Sequence, residues 1–379
     1  MKISSPIYIY SFLYYIVTMK HHVFLLAFIL ILLTQCTKDE TCSCGEECMH
    51  YQMAVLLTAE FDEEEAEAEE DLSVFIPDPA SDLPVTEFRE VWGYVITGQE
   101  SALRRDLPVT DVCYFGAEVN MYGRLINVPN RRNLSQFNGR VHLTVTCPSS
   151  ALTYFTLMPG SKERTDLIRN LIMTTGNYDG LNIDFENIPA QSGDAFLSFL
   201  RELREGLPDG KLFTIALYGR TRAITGDVYD YAKIEPYVDR IFVMAYDEHW
   251  SGSAPGPVST LRWCRSVAEY SLRVIGAEKL VMGIPFYGRA WASQNHSRAL
   301  TYPGVERLIN TAETTEVKYE NGTPTFDYET SVSVKVYYED EYSISARMEM
   351  YKSMGVNAIG FWRIGQETPR IWSLIKIKA

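Results

Sequence analysis

The segment from Asp179 to Glu186 places one amide and two carboxyl groups at alternate positions. Asn182, Asp184 and Glu186 occupy every second residue, and bulky apolar residues stand between them. In an extended strand, alternate side chains lie on the same face. Two carboxyl groups roughly 6–7 Å apart on one face, partly removed from water, do not both ionise easily. We therefore expect a protonated Glu186 to act as a general acid beside an ionised Asp184.

The same alternation would also fit an edge strand with one face in solvent. A parallel barrel strand explains both faces better, because its apolar side chains pack on outer helices and its polar side chains point inward. Glu186 would then stand at the C-terminal mouth of the barrel, where such barrels carry their chemistry. Asn187-Ile188-Pro189 would end the strand directly afterwards.

Three later apolar segments also end in polar or aromatic residues. Tyr246 and Asp247 follow the segment that starts at residue 240, Arg289 follows the segment 280–286, and Trp362 ends the segment 358–362. At a barrel mouth, Arg289 is a candidate clamp for a ligand and Trp362 is a flat apolar floor for a sugar ring. The alternative for Tyr246 and Trp362 is a packing role in the core.

Strand-like and helical segments alternate through the rest of the chain. Strands are expected at 91–96, 111–117, 140–147, 179–186, 212–218, 240–246, 280–286 and 358–362, and helices between most of them, including one at 161–175 capped by Ser161. Eight such repeats predict an α/β fold, a (β/α)8 TIM-type barrel. Residues 287–341 break the rhythm and predict a small α+β insertion between strands seven and eight. Residues 369–377 predict a closing helix.

The N-terminal part predicts export and attachment to a membrane. A positively charged start at Lys20 precedes an apolar run from Val23 to Leu33, which is typical of a signal peptide. The run ends in Leu33-Thr34-Gln35-Cys36, which resembles a bacterial lipoprotein cleavage box with Cys36 as the lipidated residue. If Met1 is the true start, a second apolar run precedes this one, and the pair could form an uncleaved anchor. We expect residues 1–35 to be a signal segment, and the exported protein to lie on the periplasmic or surface face.

Residues 36–87 are expected to form a tether before the catalytic domain at 88–379. The stretch Glu60–Asp71 holds nine acidic residues and no basic one, so most of the net charge of −14 lies in the tether. The sequence shows no basic stripe of the kind that binds nucleic acid. Cys42, Cys44 and Cys48 fit no common zinc spacing, which leaves disulfides or free thiols as the main alternatives. The three cysteines at 113, 147 and 264 are expected to be small buried apolar residues.

The strand ends, taken in order, resemble glycoside hydrolase family 18, the chitinase family. Asp179-Gly180-x-Asn182-x-Asp184-x-Glu186 is similar to the D-G-x-D-x-D-x-E signature of that family, and three later stretches follow in its order: Met244-x-Tyr246-Asp247, Gly283 to Arg289 and Gly360-x-Trp362. The resemblance covers about residues 88–379 and is nearest to the branches of bacterial spore-cortex-lytic glucosaminidases and chitobiase. Asn182 replaces the middle Asp of the signature, and we expect its amide to donate a hydrogen bond to Asp184.

The resemblance implies a glycosidase that cleaves β-linked N-acetylglucosamine by a substrate-assisted retaining mechanism, with no metal or organic cofactor. Glu186 would protonate the glycosidic oxygen, while Asp184 and Tyr246 would hold the 2-acetamido group that attacks the anomeric carbon. The implied substrate-binding residues are Asp179, Asn182, Asp247, Arg289 and Trp362. Peptidoglycan, chitin oligomers and N-glycan cores all present this sugar, so the polymer stays open. The alternative is a catalytically silent sugar-binding surface lipoprotein.

Overall fold

The computed structural model describes residues 71–78, 81–293, 296–311, 316–329 and 333–378. The predicted signal segment, Cys36 and the cysteine-containing part of the tether lie outside these residues. None of the helices within the described ranges has both the length and the hydrophobicity that a membrane span requires.

Eight parallel strands form a closed barrel. Each strand is hydrogen-bonded to its neighbour along the chain, and the last strand pairs with the first, which closes the ring. The strands are β1 (Glu90–Ile96), β2 (Asp111–Val119), β3 (Arg140–Thr146), β4 (Gly180–Asp184), β5 (Leu212–Tyr218), β6 (Arg240–Met244), β7 (Leu280–Pro285) and β8 (Ala358–Trp362). The predicted (β/α)8 fold is confirmed.

Helices pack on the outside of this barrel. The larger ones are Ser150–Leu157, Lys162–Thr175, Gly193–Gly206, Leu261–Val274 and Glu341–Ser353, and a short helix lies at Tyr231–Ile234. Ser161 caps the second helix as predicted, because its side chain accepts a hydrogen bond from the Arg164 N–H. The outward-facing residues Leu181 and Ile183 of β4, and Phe185 directly after it, join the large core between strands and helices.

A second, smaller core fills the interior of the barrel. It contains mainly aromatic and small residues, namely Trp92, Tyr94, Cys113, Ala216, Phe242, Met244, Val281 and Ala358. Cys113, Cys147 and Cys264 are free and buried, which confirms their predicted role. The polar face of β4 therefore points toward this interior, and its apolar face points toward the helices.

The predicted insertion follows β7. It consists of a five-stranded antiparallel sheet with the strands Tyr287–Ser293, His296–Thr301, Lys318–Glu320, Thr323–Glu329 and Ser333–Tyr337, and the helix Tyr302–Thr311. The insertion has an apolar core of its own around Val305, Phe326 and Val336. It ends at Asp340, which caps the helix Glu341–Ser353 through a capping box.

The predicted closing helix at 369–377 is wrong. Residues Pro369–Leu374 form a 3₁₀ helix, and Ile375–Ile377 form a short strand that pairs in parallel with Thr86–Phe88. The alternation of apolar residues in Ile375-Lys376-Ile377 suits a strand, and the partner segment lies almost 290 positions earlier in the chain. Residues 86 and 87 of the predicted tether thus belong to the folded body.

Candidate active site

A cavity of about 170 Å³ opens at the C-terminal end of the barrel strands. Nine residues from six different strands or strand ends line it: Tyr94, Asp184, Glu186, Tyr218, Met244, Tyr246, Asp247, Tyr287 and Trp362. Five of these were predicted from the sequence as site residues. Because they converge from strands that are far apart in the chain, the cavity exists only in the closed barrel.

Asp184 ends β4 at the bottom of this cavity. The side chain is almost completely buried, and its Oδ1 atom has no hydrogen-bond partner among the described residues. Burial and the neighbouring charge of Glu186 raise the pKa of Asp184 well above its usual range. The sequence predicted an ionised Asp184, but the cavity favours the protonated form, because no cationic side chain among the described residues is paired with it.

The predicted hydrogen bond from Asn182 to Asp184 is wrong. The Asn182 amide donates to Thr214 Oγ1 at 2.9 Å, and its carbonyl oxygen accepts from the Tyr94 hydroxyl at 3.1 Å. Asn182 is fully buried one layer below the cavity and does not line it. Its bonds therefore connect β1, β4 and β5 inside the barrel, two residues below Asp184.

Glu186 lies two residues beyond the end of β4. The residue is exposed at the mouth and lines the cavity. Partial burial raises the pKa of Glu186, the nearby Tyr218 hydroxyl lowers it, and the charge of Asp247 raises it further. A carboxyl group with a raised pKa at the cavity rim is suited to donate a proton near neutral pH.

Tyr246 and Asp247 follow β6 on another side of the cavity. Asp247 adopts a positive φ of 59°, and its Oδ1 atom accepts a 2.5 Å hydrogen bond from the Tyr287 hydroxyl. Arg289 lies behind this pair, with Nη2 at 3.8 Å from the same oxygen. Arg289 does not line the cavity itself. It therefore acts on the site through Asp247, and the direct clamp that the sequence predicted is not seen.

Trp362 ends β8 and forms an aromatic wall. Its ring lies 5.1 Å from the Tyr94 ring and 5.2 Å from the Phe115 ring, measured between centroids. Tyr94 in turn packs edge-on against Phe242 in the barrel interior. These contacts hold the indole in a fixed orientation, with part of its surface left open to the cavity.

Asp179, predicted as a substrate-binding residue, lies at the other end of β4. Its Oδ2 atom accepts a hydrogen bond from the Val141 N–H at 2.8 Å and lies 3.6 Å from Arg131 Nη2. The side chain is partly exposed on the side opposite the mouth. This position gives Asp179 a structural role at the start of the strand and does not support contact with a substrate in the cavity.

Four lining residues were missed by sequence reasoning: Tyr94, Tyr218, Met244 and Tyr287. Tyr218 and Met244 are the last residues of β5 and β6, and Tyr287 lies two residues beyond the end of β7. The strand-end rule that selected Tyr246 and Trp362 would have found these three. Tyr94 lies in the middle of β1, so the strand-end rule does not select it. Only its position on the inward face of that strand could have predicted a place in the site.

The family model described as glycosyl hydrolases family 18 matches residues 112–367. YdhD of Bacillus subtilis (strain 168), whose name describes a sporulation-specific glycosylase, is 32% identical over 228 residues, which are 56% of this chain and 54% of YdhD. The cortical fragment-lytic enzyme of Bacillus anthracis is 25% identical over 222 residues, 55% of this chain and 52% of that enzyme.

Among solved structures, the spore cortex-lytic enzyme SleL of Bacillus cereus superposes with a TM-score of 0.69 at 23% identity, covering 77% of this chain and 76% of SleL. This likeness supports the barrel fold. The chain spans about half the length of the two curated relatives it matches. Since the family model covers more than half of the chain, including Asp184 and Glu186, the protein belongs to glycosyl hydrolases family 18.

Proposed function

We propose that this protein hydrolyses glycans of β-linked N-acetylglucosamine with Glu186 as the general acid and Asp184 as its partner. The observation that carries the proposal is that Asp184 lines the cavity beside Glu186, and that its buried Oδ1 atom has no hydrogen-bond partner among the residues that the structure describes. A buried polar atom without a partner is costly. A substrate amide N–H entering the cavity would supply the missing donor.

The chemistry follows from that placement. Glu186 gives its proton to the glycosidic oxygen as the bond to the anomeric carbon breaks, and the carbonyl oxygen of the substrate's own 2-acetamido group attacks that carbon. The product is an oxazolinium ion. Its developing positive charge lowers the pKa of Asp184, which releases its proton to solvent and stabilises the ion as a carboxylate. Water then opens the ion, and Glu186 takes up the proton of the water. Tyr246 lies in the cavity wall where its phenol can bind the acetamide.

Trp362 and the rim residue Asp247 complete the proposed sugar site. The indole offers an apolar face on which a pyranose ring can stack. Asp247 is held by Tyr287 and Arg289, so its free carboxylate oxygen is aimed with little freedom. A hydroxyl group of the sugar is a suitable donor to that oxygen.

For the polymer, we propose cell-wall peptidoglycan in preference to chitin. The support is the set of curated relatives, whose names describe a sporulation-specific glycosylase and cortical fragment-lytic enzymes. Di-N-acetylchitobiase of Rattus norvegicus matches as well, at 25% identity over 223 residues, which keeps chitin oligomers as the second candidate. Both polymers offer the acetamido group that the mechanism requires.

The test is digestion of purified peptidoglycan and of chitin oligomers under matched conditions, with the products identified by mass. Release of muropeptide-linked fragments from peptidoglycan supports the proposal. Rapid cleavage of chitin oligomers with no release from peptidoglycan would transfer the proposal to chitin. A covalent glycosyl ester trapped on Asp184 or Glu186 would contradict the substrate-assisted mechanism in either case.

A catalytically silent sugar-binding protein is the second candidate function. It would use the same aromatic wall and the same cavity, so binding alone does not separate the two. Turnover of an aryl chitobioside does, because a silent protein releases no phenol from it. The presence of Glu186 at the rim, with its raised pKa, favours the enzyme.

Export and lipid attachment through Cys36 remain a proposal that rests on the sequence. If Cys36 is lipidated, Cys36→Ser abolishes incorporation of labelled fatty acid and releases the protein from the membrane fraction. A mutant that stays membrane-bound without label would mean that the N-terminal apolar runs act as the anchor.

A further inference from the structure

Glu186, the acid of the proposed function, lies beyond the part of β4 that the sheet holds. The ladder between β3 and β4 ends at Asp184, and the ladder between β4 and β5 ends at Ile183. Residues 185–188 therefore lie outside both ladders. A catalytic group works only when it is held within about 0.5 Å of its productive position. The segment that carries Glu186 needs another means of support.

Two tyrosines from the β5 side supply that support. The Tyr218 hydroxyl donates to the Glu186 carbonyl oxygen at 2.9 Å, and the Tyr229 hydroxyl donates to the Phe185 carbonyl oxygen at 3.0 Å. The oxygen of Tyr229 also accepts from the Ile188 N–H at 3.1 Å. Three backbone groups around the acid are thus bonded by phenols, on both sides of Glu186.

The two phenols are themselves fixed by their neighbours. The rings of Tyr218 and Tyr229 meet edge to face, with 5.2 Å between centroids and an angle of 90°. Tyr229 is 7% exposed and also packs against Phe196 on the helix Gly193–Gly206. Such contacts leave each ring little freedom to turn, so the hydroxyl positions are defined.

The loop between β5 and the helix at 231–234 is closed by further bonds. Arg220 Nε donates to Asp227 Oδ2 at 2.7 Å, and the other carboxylate oxygen of Asp227 accepts from the Tyr229 N–H at 3.1 Å. The Tyr231 hydroxyl donates to the Tyr218 carbonyl oxygen at 2.5 Å. The loop thus brings Tyr218 and Tyr229 to the same segment as one connected unit.

We propose that Tyr218 and Tyr229 are positioning residues for Glu186, which fix the backbone of residues 185–188 and so direct the acid's carboxyl group at the scissile bond. This inference rests on the proposed function, because it assumes that Glu186 donates the proton. Tyr218 lines the cavity, whereas Tyr229 does not. Tyr229 therefore acts through the backbone alone, and its variant is the cleaner test.

The experiment compares Tyr229→Phe with Tyr178→Phe. Tyr178 is a matched control, since its buried hydroxyl also donates to a backbone carbonyl, that of Pro129, at a place remote from the cavity. Each variant loses one hydroxyl and keeps its ring. A merely structural role predicts a small loss of thermal stability for both variants, somewhat larger for Tyr229→Phe because its hydroxyl makes two hydrogen bonds, and the same small change in activity for both.

The positioning role predicts a different pattern. For Tyr229→Phe, we expect kcat on an unactivated oligosaccharide to fall by roughly 10- to 100-fold, since a small misplacement of a reacting group has effects of that order. KM should change little, and a dinitrophenyl glycoside, whose leaving group needs no proton, should be cleaved at close to the wild-type rate. Tyr178→Phe should match wild type on both substrates. Equal behaviour of the two variants on the oligosaccharide would overturn the proposal.

A readout without turnover keeps this inference separate from the proposed function. The Glu186 carboxyl group can be titrated by NMR in protein with ¹³C-labelled glutamate, with the signal assigned by its absence in Glu186→Gln. Tyr218→Phe removes the phenol that favours the carboxylate, so the pKa of Glu186 should rise, and the alkaline limb of the activity profile should move to higher pH. The groups that face this carboxyl are Asp184 on β4, Tyr218 on β5, Tyr229, and Tyr246 and Asp247 after β6.

The outcomes are distinct. A wild-type protein that cleaves no substrate would contradict the proposed function. A shifted Glu186 titration in Tyr218→Phe would still show that this tyrosine determines the environment of the Glu186 carboxyl group. An active wild type, together with an unmoved Glu186 signal in Tyr218→Phe and unchanged kcat in Tyr229→Phe, would contradict the positioning role alone.

Discussion

Buried carboxyl groups lie at both ends of this barrel, and their partners differ. At the end where the strands start, Glu90 accepts hydrogen bonds from Arg240 at 2.7 Å and from the Trp92 indole at 2.9 Å. Asp111 accepts from Arg140 at 2.6 Å and contacts His142 at 2.8 Å. At the mouth, no ion pair to Asp184 or Glu186 is found within the described residues.

The pKa shifts follow these partners. Burial raises the pKa values of Glu90 and Asp111, yet the hydrogen bonds and charges of Arg240, Arg140 and His142 outweigh it, and both values are lowered. For Asp184 and Glu186, burial also raises the pKa values, and the net shift stays upward. The comparison shows that burial alone does not make a reactive acid. A buried carboxyl group keeps a raised pKa only where no cationic side chain is paired with it, as at the mouth, where a ligand can take the position of that partner.

The two ends therefore contribute to stability with opposite signs. A carboxyl group whose folded pKa is lowered adds stability above its unfolded pKa, and that stability is lost as the pH falls through the folded value. A carboxyl group whose folded pKa is raised has the opposite effect, since it favours the folded state at low pH and reduces stability once the pH passes its unfolded value near 4. The carboxyl groups at the strand starts stabilise the fold at neutral pH, whereas Asp184 and Glu186 at the mouth reduce its stability at that pH.

The largest effect is expected for Glu186→Gln. The variant keeps the shape of the acid but cannot donate the proton, so hydrolysis of an unactivated glycan should fall by roughly 10²- to 10⁴-fold. Activated aryl glycosides should be affected much less. Initial rates on both substrate types measure this. An equal loss on both types would mean that Glu186 does not act by proton transfer.

At the other end, Arg240→Leu should unfold the barrel more easily. The change leaves Glu90 buried without its main partner, which typically costs about 3–5 kcal/mol. Urea unfolding at pH 7 gives the loss, and the loss should shrink below about pH 4, where Glu90 can take up a proton. Arg169→Leu removes an exposed arginine paired with Asp166 and serves as control, with an expected cost below about 1 kcal/mol. Equal losses would mean that the ion cluster has no special role.

Asp184→Asn should separate function from stability. At pH 7–8 folding of the wild type must move Asp184 from water, where it is ionised, to a buried place where its pKa is raised, and the asparagine of the variant avoids this cost. The free energy of unfolding should therefore rise by about 1 kcal/mol, a gain common where an active site had reduced stability. The gain should vanish near pH 3, where the wild-type carboxyl is protonated as well. Thermal unfolding across this pH range measures it. A thiazoline mimic of the oxazolinium ion should bind wild type tightly and the variant poorly. If the variant is less stable than wild type at every pH, the prediction for stability is contradicted.

The smallest effect is expected for Asp179→Asn. The residue lies at the strand-start end, and an amide oxygen can still accept the hydrogen bond from the Val141 N–H. Activity on glycans should stay within about twofold of wild type. A large fall in kcat with unchanged stability would return Asp179 to the substrate-binding residues that the sequence suggested.

Much of the site could be predicted because strand geometry is local. A period of two puts Asp184 and Glu186 on the same side of β4, and the ends of apolar segments mark the mouth at Tyr246 and Trp362. Boundaries were less accurate: β4 ends at Asp184, so Glu186 belongs to the following loop. The segment 369–377 was misread because its strand partner at 86–88 is remote in the chain.

The sequence by itself determined the order of the eight strands, the insertion after the seventh, and which side chains of β4 face inward. Only the tertiary structure decided the partners of those side chains. Asn182 is hydrogen-bonded to Thr214 and Tyr94 rather than to Asp184, and Asp111 is paired with Arg140. Asp184 has no cationic partner within the described part of the chain. The physical reason is that each partner lies on another strand, at a height set by the stagger of the closed barrel. The closed barrel therefore decides which side chains pair with each buried carboxyl group, and these partners decide the direction of its pKa shift.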